Sequence, residues 1–185
     1  MNKRRSLPVT SAAVLTHFTR AARTSSAIDN LVSILTEGII RGGRRMVRGG
    51  KPAVCMFDIA LPGLSTVLIR ENRRRYEPFG IAVDRRYAFK MGARPVIYLP
   101  WREAREVVAP VEHWRVVSME ADRNPPVDWT YEREWRIQGD LALKPDLCVA
   151  LVESWRDVDE IYDRFDGHPP CAGVIPLRDL FGTAA

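Results

Sequence analysis

The feature that most restricts the fold is a series of short apolar runs, rich in β-branched and aromatic residues and cut off by Gly, Pro or charge. They cover residues 13–19, 53–57, 79–83, 95–99, 111–119, 130–137, 149–152 and 174–177. Runs this short, without helical periodicity, predict strands. Helical periodicity appears in few places. Ser26 and Asp29 have the spacing of a capping box, Ile28, Leu31, Val32 and Leu35 fall on one helical face, and Gly38 supplies the stop. Ser154 and Asp157 repeat the device ahead of Val158, Ile161, Tyr162 and Phe165, with Gly167 as the stop. Residues 66–75 predict a short helix and residues 85–91 a helix or turn. Asn124-Pro125-Pro126 is a hard break. About seven strands and three or four helices in mixed order predict an α+β fold, with mixed, mostly antiparallel curved sheets and flanking helices. The 185 residues suit a single domain, 1–185, with 1–12 as a flexible basic arm.

Composition narrows the setting. No stretch approaches the ~20 apolar residues of a membrane span. The charged start at 1–5 lacks the apolar run of a signal peptide, because Pro8, Thr10 and Ser11 interrupt it. Cys55, Cys148 and Cys171 are an odd, widely spaced set, which fits small core residues in a reducing compartment rather than zinc or disulfides. The expected location is therefore cytoplasmic, with no membrane partner. No GxGxxG follows a strand and no GxxxxGK[ST] occurs, so Rossmann and P-loop sites are not expected. Residues 1–100 carry 18 Lys and Arg against 6 Asp and Glu, a net of +12, while residues 101–185 carry 10 against 17, a net of −7. That polarity suggests either a polyanion-facing first half or neutralisation across the fold.

The candidate functional centre is Tyr131-Glu132-Arg133-Glu134-Trp135-Arg136. Read as strand, it puts Glu132 and Glu134 side by side on one face. Carboxylates so placed repel, and at least one pKa should rise unless a cation or ligand hydroxyls sit nearby. One carboxylate would hold a ribose diol and stabilise an oxocarbenium ion, while the other orients or deprotonates an acceptor. The alternative is a solvated strand face with Arg136 nearby. His17, at the end of the first strand, would donate to a ribose hydroxyl, and Thr19 to a phosphate or amide. The loop at 41–51, with Arg44, Arg45 and Arg48, and the run Arg73, Arg74 and Arg75 would hold polyphosphate or a nucleic-acid backbone, with stacking from Tyr76 and Trp101.

Several segments, taken in order, resemble a known group. Leu15-Thr16-His17-Phe18-Thr19 and the stretch from Asp29 to Gly38 resemble the opening of the AbiGi-like abortive-infection family of phage defence, usually described as antitoxins. Val54-Cys55-Met56-Phe57-Asp58-Ile59, Tyr76-Glu77-Pro78-Phe79-Gly80-Ile81, Arg94-Pro95-Val96-Ile97-Tyr98 and Glu132-Arg133-Glu134-Trp135-Arg136 resemble later segments. Glu77 stands where the related segment has Gly, and Ala60 where it has Pro. The same order is similar to the ADP-ribosyltransferase fold, including DarT-like enzymes acting on nucleic acid. That resemblance implies NAD as substrate, held by His17 with Phe18, Thr19 and Tyr76. It also implies Glu134 as the catalytic glutamate and Glu132 acting on a nucleic-acid or protein acceptor. Glu134→Gln would then keep the fold and abolish NAD consumption. The alternative it implies is a non-enzymatic antitoxin or binding module on the same fold, paired with a cognate toxin or another partner protein.

Overall fold

The computed structural model describes residues 13–68 and 75–181. The basic arm 1–12, most of the expected helix 66–75, and Arg70, Arg73 and Arg74 lie outside the described residues. The strands are β1 (Val14–Phe18), β2 (Ile39–Ile40), β3 (Ala53–Phe57), β4 (Gly80–Asp84), β5 (Arg94–Pro95), β6 (Ile97–Tyr98), β7 (Val116–Val117), β8 (Glu134–Gln138), β9 (Leu141–Ala142), β10 (Cys148–Val152) and β11 (Val174–Pro176). The helices are α1 (Ala27–Glu37), α2 (Arg85–Lys90), α3 (Trp101–Val107), α4 (Trp155–Arg164) and α5 (Leu177–Leu180).

The fold is mixed α+β with a mostly antiparallel sheet and flanking helices. Seven strands form one sheet in the order β11-β10-β4-β1-β3-β8-β5, in which β10 and β11 run parallel and every other neighbour antiparallel. Strand alternation gives the sheet two apolar faces. One carries Leu15, Val54, Met56, Ile81, Val83 and Ile137, covered by Leu31 and Leu35 of α1 and Val158 and Ile161 of α4. The other carries Val14, Phe57, Ala82, Val149 and Leu151, covered by Leu61, Leu64 and Val67 and by Leu177 of α5. Both major helices begin with the capping boxes that the sequence spells out, Ser26 with Asp29 and Ser154 with Asp157. Gly38 ends α1 in the left-handed conformation, φ 65°. No helix among the described residues is long and apolar enough to cross a membrane.

Three expected strands are shorter than the sequence suggests. The run at 95–99 breaks into β5, which pairs with β8, and β6, which pairs with β7. Pro95 has no N–H to continue a ladder, and the chain changes sheet at Val96. The run at 111–119 begins as a 3-10 helix, Pro110–Arg115, and extends only at Val116. Pro110 occupies its first turn, where the missing N–H costs nothing. Residues 130–132 are likewise a 3-10 turn, so the expected strand at 130–137 begins at Glu134.

Gly80 allows β1 and β4 to close. A Cβ there would lie 2.3 Å from the His17 carbonyl oxygen, a backbone atom that cannot yield without parting the strands. Gly80→Ala is expected to cost about 2 kcal/mol by overpacking, measured as a drop in the urea midpoint. Gly38→Ala is the contrast. Nothing lies within 4 Å of its Cβ position, and the left-handed backbone alone should cost about 1 kcal/mol. A Gly80→Ala midpoint equal to the native one would contradict the close approach.

Candidate functional site

Glu132 and Glu134 line one cavity of about 680 Å³, but strand alternation does not bring them together. The Asp128 carboxylate accepts from the Thr130 N–H at 2.8 Å and from its hydroxyl at 2.7 Å, which fixes the start of the 3-10 turn Thr130–Glu132. Arg133 then takes a left-handed conformation, φ 47° and ψ 48°. Its carbonyl accepts the Asp58 N–H at 3.1 Å, and the chain enters β8 at Glu134. A turn followed by one left-handed residue thus aims both carboxylates at the same space, where an unbroken strand would have done so by its pleat.

Alternation within β8 does place Glu134 and Arg136 on one face. Arg136 Nε donates to Glu134 Oε1 at 2.8 Å and its Nη2 to Oε2 at 3.2 Å. Both residues are buried, at 3% exposure for Arg136 and 7% for Glu134. The rest of the guanidinium donates to the Trp114 carbonyl at 2.8 Å and the Met46 carbonyl at 3.4 Å. The Glu134 N–H donates to the Tyr98 hydroxyl at 2.9 Å. The Cys55 thiol sits against this pair, and burial pushes its pKa well above the ordinary thiol value, with Glu134 adding to the rise. A carboxylate offers about four lone-pair sites, so bidentate pairing leaves Glu134 able to accept from a ligand.

Glu132 has a different environment. Its Oε1 accepts from the Tyr76 hydroxyl at 2.6 Å and lies 3.7 Å from Arg75 Nη2. Burial raises its pKa above the ordinary carboxylate value. The Tyr76 bond opposes that rise, the Glu134 charge adds to it, and Arg75 and Arg136 oppose it. Arg75 lies over the Trp129 ring, 4.1 Å from its centre. Tyr76 packs edge-on against Phe57 at 5.0 Å, and Phe18 completes the aromatic wall at 5.4 Å from Phe57.

His17 stands where the sheet opens. A single residue pair, Thr16 with Phe57, joins β1 to β3, against five for β1–β4 and five for β3–β8. At the split His17 Nδ1 meets the Cys55 carbonyl oxygen at 2.8 Å, so a side chain replaces the missing backbone donor. A carbonyl can only accept, so Nδ1 carries the proton. Burial lowers the His17 pKa, partly offset by this bond. With Nδ1 donating to Cys55, neutral His17 leaves Nε2 unprotonated, so a hydrogen bond with a ribose would run from the hydroxyl to the ring. Paired residues share a sheet face, so Thr16, Phe57 and Glu134 point one way and His17 the other. His17 nevertheless lines the cavity, next to the point where β1 and β3 part.

The other expected site residues divide. Phe18, Tyr76, Arg48 and Arg75 line the cavity. Thr19 is a structural tie, its buried hydroxyl donating to the Ala27 carbonyl at 2.9 Å. Arg44 closes its own loop by donating to the Gly50 carbonyl at 2.8 Å, and Arg45 is exposed. Arg48 lies over Trp101, 5.0 Å from the ring centre. Sequence reasoning missed Trp129 and Arg123 on the cavity wall and the anchoring role of Arg136. The i, i+2 spacing from Glu134 carried the signal for Arg136. No local pattern marks Trp129. Comparison of the chain with protein families, with curated proteins and with solved structures finds no match.

The Glu132 pKa gives a stability test. A raised folded-state value means the folded chain holds this proton more tightly than the unfolded chain. The ionised carboxylate therefore subtracts from stability at neutral pH, and protonation restores it as pH falls through the raised value. Glu132→Gln should be more stable than the native chain at pH 8, with the gap closing toward the ordinary value of 4.5. Urea midpoints across pH measure this, and a gap that does not vary with pH would contradict it.

Proposed function

We propose that the protein is an NAD-dependent mono-ADP-ribosyltransferase-like enzyme of a phage-defence or toxin–antitoxin system, transferring ADP-ribose to nucleic acid or protein. The observation that carries this reading is the convergence of Glu132, Glu134, Tyr76 and His17 on one cavity with Arg75 and Trp129 in its wall. A volume near 680 Å³ suits a dinucleotide-sized ligand. The ordered sequence segments that resemble those of abortive-infection proteins suggest the biological setting.

Breaking the bond between nicotinamide and ribose leaves positive charge on the ribose. Glu134, held rigidly by Arg136, is a preorganised acceptor for the ribose hydroxyls and for that charge. His17 Nε2 offers a second acceptor at the sheet opening. Glu132, whose carboxyl burial holds above the usual carboxylate range, faces the same space and is suited to orient the acceptor, whose proton leaves to solvent as the new bond forms. A separate observation favours the alternative of a non-enzymatic antitoxin or binding module. Arg136 neutralises much of the Glu134 charge that such a reaction would use.

Incubation with labelled NAD and cell extract tests the reading. A labelled macromolecule is expected, with labelling at least about 100-fold lower in Glu132→Gln. Glu134→Gln should also abolish labelling, but it strands a buried guanidinium and is expected to cost about 3 kcal/mol. Its melting temperature must therefore be read beside its activity, with the charge-free pair Glu134→Gln/Arg136→Met as structural control. NAD left unconsumed by the native chain, with a stable complex formed with a neighbouring gene product, would instead establish the binding module.

A further inference from the structure

Among the described residues, Arg75 has no close hydrogen-bond acceptor, although it lies beside a buried carboxylate. It contacts Glu132 at 3.7 Å, beyond good hydrogen-bond length, while the Tyr76 hydroxyl holds the short bond to the same oxygen at 2.6 Å. Stacking on Trp129, at 4.1 Å, and contact with Tyr76, at 5.3 Å, hold the guanidinium in place. Its side chain is 39% exposed, whereas that of Glu132 is 7% exposed. Trp129, Glu132 and Arg75 all line the cavity.

We propose that Arg75 is an exchangeable latch on Glu132: a phosphate-bearing ligand entering the cavity draws the guanidinium off the carboxylate, and Glu132 takes up a proton in response. This rests on the reading of the cavity as the NAD site. A bidentate guanidinium–phosphate contact is stronger than the long contact Arg75 now makes. Among the described residues, the other titratable groups coupled to Glu132 are Tyr76, Tyr98 of β6, and Glu134 and Arg136 of β8. Arg136 is anchored by two backbone carbonyls and Glu134 by Arg136, so neither can compensate. With Arg75 gone, burial and the Glu134 charge act unopposed by it, and both favour the protonated acid. Arg75 is thus a positioning residue that makes the protonation state of Glu132 depend on an occupied cavity.

Calorimetric titration with ADP-ribose in buffers of different ionisation enthalpy tests this. The diphosphate of ADP-ribose has no pKa near neutrality, so proton uptake must come from the protein. The expected result is uptake on binding that is lost in Arg75→Gln and in Glu132→Gln and is absent with adenosine, which carries no anion. Binding without uptake, or uptake that persists in Glu132→Gln, overturns the latch and leaves the NAD site standing. No binding of ADP-ribose overturns both. A ligand-free measurement stands beside it. In the empty protein Arg75→Gln should raise the titration midpoint of the Glu132 side-chain carboxyl carbon, a resonance assigned by its absence in Glu132→Gln. An unchanged midpoint overturns the latch.

Discussion

The buried pair of Glu134 and Arg136 organises the walls of the cavity. Arg136 leaves β8, binds Glu134 through both carboxylate oxygens, and donates to the carbonyls of Trp114 and Met46. One guanidinium therefore joins the central sheet, the 3-10 segment Pro110–Arg115 and the loop that carries Arg48. Desolvating two charges is costly, and the cost is offset only where their hydrogen bonds are well made. Here the guanidinium has three kinds of acceptor, and the carboxylate is fixed without its lone pairs being exhausted.

A second constraint is the opening between β1 and β3. A continuous ladder there would pair Cys55 with backbone donors and seal the sheet. The His17 imidazole donates to the Cys55 carbonyl instead, so that this oxygen is paired at the split. The same bond fixes the tautomer, so a structural requirement decides which nitrogen a ligand would meet. Gly80, pressed against the His17 backbone, holds the neighbouring strand close enough to keep that end of β1 in place.

The opposite charges of the two halves of the chain meet in the fold. Arg41 pairs with Asp140, and Arg75 reaches Glu132. Part of the polarity is thus neutralisation across the structure. At the cavity, Arg48 and Arg75 from the first half line the same space as Glu132 and Glu134 from the second.

The sequence by itself determined the local devices. The capping boxes at Ser26 and Ser154, the stop at Gly38 and the cores of β1, β3, β4 and β10 are legible because each depends on a few neighbouring residues. It also singled out Glu132 and Glu134, though through a strand that the Asp128 turn and left-handed Arg133 replace. Only the tertiary structure made Arg136 a buried partner, Thr19 a tie and Trp129 a wall, and turned His17 into an acceptor. Those roles depend on groups distant in sequence, such as the carbonyls of Cys55, Met46 and Trp114. Backbone oxygens are the same at every position and carry no sequence signature. Their meeting with a side chain is decided by how the strands pair and where the sheet opens.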